Sequence, residues 1–113
     1  MPVFELDTNV KNVPGSFVED TTKLVADILG KPASYVMVIV RVNEQMAMAG
    51  SREPCACAKL GSLGAVGKGV NSKHAAAITA HLQEKLAVQP GRVYCTFVNM
   101  SAHDVALGGN TFG

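Results

Sequence analysis

Cysteine and histidine have the widest chemical repertoire of the side chains in this sequence, and there are three of each. The cysteines are Cys55, Cys57 and Cys95. An odd number in a chain without a signal peptide predicts free thiols. Residues two apart on a strand share a face, but their Cα atoms lie about 6.5–7 Å apart, at the limit for a disulfide. We therefore predict no thiol–disulfide catalysis.

The histidines are His74, His81 and His103, and together with the cysteines they show no metal-site spacing. His74 and His81 are seven residues apart on one helix face, and we expect both to be solvated. The glycine-rich segment 61–69 lacks the Gly-Lys-Ser/Thr of a phosphate loop and the dinucleotide pattern. The sequence therefore predicts neither a metal nor another cofactor.

Pro2 directly follows Met1, and methionine before a small residue such as proline is normally removed in cells. Removal exposes a secondary amine, which is more basic than a primary α-amino group of pKa about 7.7–8.0. A retained Met1 makes the same nitrogen a tertiary amide without basicity. In a second interpretation, Pro2 only permits the removal of Met1 and begins an edge strand.

The composition describes one ordinary packed domain spanning residues 1–113, with 48% hydrophobic and 17% charged residues. A net charge of +1 gives no electrostatic footprint for nucleic acid or an anionic membrane. The apolar run at 36–40 is too short to span a bilayer. The N-terminus lacks the basic and apolar regions of a signal peptide, which predicts a cytoplasmic protein that can be secreted only by a non-classical route.

Apolar residues recur at helical spacing in two segments. The first begins at Ser16, which stands at capping-box spacing from Glu19, and it ends at Gly30. The second is capped by Asn71 or Ser72 and ends before a Gln-Pro-Gly turn. Its apolar stripe consists of Ala75, Ile78, Leu82 and Leu86.

Four segments are typical of strands, namely 3–8, 35–42, 55–63 and 92–99, with a short strand in the tail at 105–112. The order strand, helix, strand occurs twice, and the helix-end motifs of the halves, about 1–56 and 57–113, are offset by 58 residues. This predicts an α/β (α+β) fold, with a tandem βαβ repeat forming a four-stranded mixed sheet with both helices on one face. The segment 35–42 is apolar on both sides, so we expect another copy of the chain to cover the second face.

These elements carry a series of short motifs in a fixed order along the chain. The motifs are Met1-Pro2, Asp7-Thr8-Asn9-Val10, Gly30-Lys31-Pro32, Gly50-Ser51, Glu53-Pro54-Cys55-Ala56, Gly61-Ser62-Leu63-Gly64, Arg92-Val93-Tyr94 and Asn110-Thr111-Phe112. With them the sequence resembles, from end to end, the family of macrophage migration inhibitory factor and D-dopachrome tautomerase, in the tautomerase superfamily.

The resemblance implies a homotrimer, with three sheets around a central channel and an active site at each subunit interface. It implies a cofactor-independent keto–enol tautomerase of the phenylpyruvate tautomerase or L-dopachrome isomerase type. Pro2 would be the general base, while Lys31 would favour the neutral amine and receive the carboxylate or enolate charge of a small aromatic keto acid. The Leu63 main-chain N–H would bind a carboxylate oxygen, with Ser62 beside it. Further site positions are Tyr94 and Tyr35 from the neighbouring subunit, and Val3, Val105 and Phe112 as apolar walls.

Two positions depart from the best-known members of the family. Thr96 stands in place of a substrate-binding Asn, and Leu107 in place of a Trp at the pocket rim. Ala58 also stands at the second cysteine of the family's Cys-x-x-Cys. The resemblance therefore leaves an alternative, a cytokine-like protein that binds a cell-surface receptor of the invariant-chain type and has weak or vestigial tautomerase activity.

Overall fold

The computed structural model describes all 113 residues. Four strands form its sheet, β1 (Pro2–Thr8), β2 (Met37–Val42), β3 (Ala56–Ser62) and β4 (Val93–Asn99). Two helices, α1 (Phe17–Leu29) and α2 (Asn71–Leu86), connect the strands of each half. A hairpin of β5 (Ala106–Leu107) and β6 (Asn110–Thr111) ends the chain. No helix is both long enough and apolar enough to cross a membrane.

The sheet has the strand order β2-β1-β3-β4, so β1 and β3 are central and β2 and β4 are edges. Each βαβ half contributes a parallel pair, β1 with β2 and β3 with β4, and the halves join through the antiparallel pair β1 and β3. This confirms the predicted α+β class and the four-stranded mixed sheet.

Both helices pack on one face of the sheet because alternate strand residues are apolar. Phe4 and Leu6 of β1 and Leu60 of β3 are almost fully buried there. They join a core that includes Phe17, Val25, Ala58, Ile78, Leu82 and Leu86. The predicted stripe of α2 is confirmed at Ile78, Leu82 and Leu86.

The predicted end of α1 is confirmed. Gly30 has the left-handed φ of 63°, which glycine adopts without steric cost. Its N–H donates to Asp27 O, and the N–H of Lys31 donates to Ala26 O at 3.0 Å. These bonds form a Schellman-type end, which fixes where the chain, and with it Lys31, leaves the helix.

The predicted start of α1 at Ser16 is confirmed, but its capping-box bond does not form, and the predicted cap of α2 is wrong. Ser16 lies in a turn closed by a bond from the Phe17 N–H to Pro14 O, and its hydroxyl donates to Asp20 Oδ2 instead of accepting from the helix. The residue before α2 is Val70, and Asn71 accepts a bond from the Gly67 N–H. The Ser16 side chain bonds to Asp20 in the first turn of α1, whereas the Asn71 side chain bonds back to the preceding loop.

The second face of the sheet, here called the open face, carries the other alternate residues. Its members are Val3, Glu5, Asp7, Met37, Ile39, Arg41, Cys57, Lys59, Gly61, Tyr94, Thr96 and Val98. In the single chain this face is uncovered at the second strand, where Met37 is 57% exposed, and its cover by another copy of the chain stays a prediction. The open face is also partly ionic, because Arg41 donates to both Glu5 and Asp7.

Candidate active site

The N-terminus lies inside the sheet rather than at its margin. Pro2 is the first residue of the central strand β1, directly opposite Ser62 on β3, and it is fully buried. The interpretation in which Pro2 begins an edge strand is therefore wrong. Proline is tolerated here because a strand's first residue does not need to donate to the ladder.

A cavity of about 340 Å³ opens at this end of β1. It lies between the start of β1, the segment 34–37 and the C-terminal hairpin, and nine of its eleven lining residues are hydrophobic. The lining consists of Met1, Pro2, Val3, Ser34, Tyr35, Val36, Met37, Val105, Ala106, Leu107 and Phe112. The structure thus brings Pro2 together with five other positions named from the sequence: Val3, Tyr35, Val105, Leu107 and Phe112.

Tyr35 requires a correction, because it lines the cavity of its own chain and does not come from a neighbouring subunit. The 3₁₀ turn Ala33–Tyr35 carries it there, whereas the sequence pattern placed it in the following strand. The same turn brings in Ser34, and the start of β2 brings in Met37, both of which sequence reasoning missed. The signal for them was Pro32, after which a tight turn precedes the strand.

Lys31 is positioned by the end of α1 and reaches toward the last residues of β3. Its Nζ donates to Leu63 O at 3.3 Å, one residue beyond the strand partner of Pro2. Burial, followed by the charge of Lys31, lowers the pKa of the terminal amine, carried here by Met1, below its ordinary value. The positive charge of Lys31 therefore affects the amine at the start of β1.

Ser62 lies on the buried face of the sheet and does not line the cavity. Its hydroxyl is the one buried side-chain polar atom without a hydrogen-bond partner. Ser62 is therefore next to Leu63 at this end of β3, but its side chain lies on the helix-covered side of the sheet and not in the cavity.

Tyr94 and Thr96 are not brought to the cavity. Both lie on the open face of β4, and Tyr94 is 66% exposed. Tyr94 pairs with Cys57, five residues along β3 from Ser62, the partner of Pro2. That separation corresponds to about 17 Å of strand. Thr96 pairs with Lys59, three residues or about 10 Å from Ser62, and faces the side of the sheet opposite to Pro2, so neither side chain meets Pro2 of its own chain.

The thiols and imidazoles lie outside this site. All three cysteines are free, with Cys55 buried and Cys57 exposed on the open face. Burial raises the pKa of the Cys95 thiol to about 11, which keeps it protonated at neutral pH. No group of three histidine, cysteine or acidic residues is arranged to hold a metal ion.

The expectation that both α2 histidines are solvated is wrong. His74 is only 6% exposed and bonds to Ala65 O, while the half-buried His81 bonds to the Thr21 hydroxyl of α1. Helical spacing alone could not distinguish these polar contacts from a solvated face.

The chain matches the family model described as macrophage migration inhibitory factor (MIF) over residues 1–113. It is 40% identical over 114 residues to a macrophage migration inhibitory factor homolog of Trichinella spiralis, covering 99% of this chain and 100% of that protein. It is 35% identical over 114 residues to the macrophage migration inhibitory factor of Mus musculus, covering 99% of each.

Solved structures agree with the sequence relatives. The structure of the macrophage migration inhibitory factor from Trichinella spiralis superposes with a TM-score of 0.94 at 39% identity, covering 97% of this chain and 99% of that one. The homologue from Prochlorococcus marinus superposes with a TM-score of 0.92 at 25% identity, covering 98% and 99%. The chain therefore belongs to the macrophage migration inhibitory factor family, within the tautomerase superfamily.

Proposed function

We propose that the protein is a cofactor-independent keto–enol tautomerase whose general base is the Pro2 amine, freed by the removal of Met1. The observation that carries the proposal is the position of Pro2, buried at the start of a central strand and lining an apolar cavity. The positive charge of Lys31 acts at the same end of β1, because it contributes to the lowered pKa of the terminal amine that Met1 carries. An amine that is neutral near physiological pH is what proton abstraction beside a carbonyl requires.

In the proposed reaction Pro2 transfers the proton, and Lys31 stabilises the negative charge. The neutral Pro2 nitrogen takes a proton from the carbon next to the carbonyl, and the resulting ammonium returns a proton to complete the tautomerisation. Lys31 Nζ stabilises the enolate oxygen or the carboxylate, which both carry negative charge. The apolar lining disfavours the charged form of the amine and so favours the neutral form, which can accept a proton.

The substrate class follows from the lining. A cavity of about 340 Å³ lies at the small end of the range for ligand pockets, about 300–1,000 Å³. Tyr35, Leu107 and Phe112 offer apolar surface for an aromatic ring. Lys31 is not part of the lining, but its ammonium group, bonded to Leu63 O, offers a cation for an acid group. We therefore propose small aromatic α-keto acids such as phenylpyruvate, and D-dopachrome-like compounds, as substrates.

The complete site would form in a homotrimer. Both edge strands of the sheet are unpaired, and Met37 and Tyr94 expose most of their surface. Since Tyr94 and Thr96 cannot reach Pro2 in their own chain, a neighbouring subunit would supply them. This assembly would also cover the apolar part of the open face.

Two positions favour a second function. Leu107 is 61% exposed at the cavity and has no ring to stack on a substrate, and Thr96 has shorter reach than an asparagine. A cytokine-like protein that binds a cell-surface receptor of the invariant-chain type, with weak tautomerase activity, would retain the cavity as an inherited feature. Such a role requires secretion by a non-classical route from the cytoplasm.

Two assays on one preparation separate the proposals. Mass spectrometry first establishes that Met1 is absent, and phenylpyruvate enolisation and binding to the invariant-chain ectodomain are then measured. We expect saturable enolisation, because Pro2 lines the cavity and the charge of Lys31 reaches the terminal amine beside it. A negligible rate with tight receptor binding would favour the second function instead.

A further inference from the structure

Three consecutive residues after β3 are each held by a side chain from a different element. Leu63 O accepts a bond from Lys31 Nζ at 3.3 Å, beyond the end of α1. The Gly64 N–H donates to Asn99 Oδ1, at the end of β4, at 3.0 Å. Ala65 O lies 2.7 Å from His74 Nε2, on α2. The segment 63–65 is thus fixed at three successive points.

The bond from His74 is the best protected of the three. His74 is 6% exposed, and its ring lies 6.2 Å from that of Phe97. A carbonyl oxygen only accepts, so Nε2 carries the hydrogen and donates to Ala65 O. A buried imidazole without this partner would be destabilising, so the bond fixes both the ring and the carbonyl.

The backbone at Ala65, which the bond from His74 holds, has a conformation that an L-residue rarely adopts. Ala65 has a φ of 61°, in the left-handed region, and follows Gly64 at a φ of 75°. Such a conformation persists only where the surroundings enforce it. Here the bonds from His74 to Ala65 and from Gly64 to Asn99 enforce it.

The enforced conformation leaves one main-chain donor free. The N–H of Leu63 donates to no acceptor in the protein, while the carbonyl of the same residue receives Lys31. A free N–H beside an ammonium group is suited to a carboxylate. It lies one residue from Ser62, the strand partner of Pro2.

We propose that His74 and Asn99 are positioning residues that hold the Leu63 N–H in place and so set the affinity of the site for the carboxylate of a keto acid. This inference rests on the proposed function for its substrate class. Neither side chain lines the cavity. Both act through the backbone of segment 63–65.

The test compares ligands with and without a carboxylate. His74→Phe keeps an aromatic ring beside Phe97 but removes the donor, and His74→Gln restores a side-chain N–H. Asn99→Ala removes the second contact at an exposed position, where folding is not at risk. His81→Phe is the matched control, because it changes a histidine of the same helix that faces Thr21 instead.

We expect His74→Phe and Asn99→Ala to raise KM for phenylpyruvate, and Kd for 3-phenylpropanoate, by about three- to tenfold, the range of one neutral hydrogen bond. The value of kcat should change less than about twofold, since Pro2 and Lys31 remain. Phenylacetone, which can enolise but has no carboxylate, should show an unchanged kcat/KM. His74→Gln should recover most of the affinity, and His81→Phe should match the parent protein.

Equal losses with both substrates, or no loss in either variant, would overturn the positioning role while leaving the proposed function intact. If the parent protein binds 3-phenylpropanoate but does not enolise phenylpyruvate, the proposed function fails, and the Kd series alone decides the positioning role. A parent protein that neither binds nor enolises contradicts both.

Discussion

Insertion of one alanine between Met1 and Pro2 is expected to lower kcat/KM for phenylpyruvate at least about 100-fold, the lower end of what general acid–base catalysis contributes. The inserted residue turns the Pro2 nitrogen into an amide, which is not basic at any working pH. It also extends the chain toward the cavity that Met1 lines. The measurement is steady-state enolisation by protein of verified mass.

The matched control is one alanine added after Gly113, which lengthens the chain equally but leaves the terminal amine free. This protein should keep the parent rate. Both variants should keep the parent's oligomeric state, because neither addition replaces a residue of the helix-covered core. An inserted variant that folds and turns over at the parent rate would exclude the Pro2 nitrogen as the base.

Replacement of Lys31 is expected to have the second largest effect. Lys31→Ala removes a cation that binds the substrate's negative charge, so KM for phenylpyruvate should rise by about 10- to 100-fold, the range of a hydrogen bond to a charged group. It also removes one of the two causes that lower the pKa of the terminal amine. The assay is enolisation as a function of substrate concentration and pH.

The direction of the pH effect follows from the amine being active in its neutral form. The parent kcat/KM should rise with pH and level off above the pKa of Pro2. Without Lys31 that pKa is higher, so the rise moves to higher pH. Lys31→Arg keeps the cation and should move it little, and Lys23→Ala, an exposed lysine within α1, should change neither KM nor the profile. An unchanged profile in Lys31→Ala would contradict the electrostatic role.

Local sequence signals were sufficient for most of the fold. Alternation in the first segment identified β1, and Gly30 marked the end of α1 because its left-handed conformation is a property of a single residue. The side-chain capping bonds could not be obtained in this way. Ser16 does begin α1, but its hydroxyl bonds to the Asp20 carboxylate, and the Asn71 side chain bonds to Gly67 of the preceding loop.

The sequence motifs named several residues of the candidate site, but they did not show how the folded backbone positions those residues. The central position of Pro2 depends on strand order, which its own neighbourhood in the sequence does not reveal. Tyr35 was placed in the following strand because a short 3₁₀ turn resembles the start of that strand, and its assignment to a neighbouring subunit came from the family resemblance and not from a pattern in the sequence. His74 was interpreted as solvated because its partner, a backbone carbonyl in a glycine-rich loop, leaves no sequence signal.

The most direct test of the central claim is to titrate the Pro2 nitrogen itself in protein that lacks Met1. Labelling proline with ¹⁵N and following the Pro2 resonance by NMR gives its pKa, to be compared with the midpoint of the kcat/KM profile for phenylpyruvate. Our account predicts that the two midpoints coincide and that both move to higher pH in Lys31→Ala. A rate profile that does not follow the ionisation of Pro2 would contradict the assignment of this amine as the base.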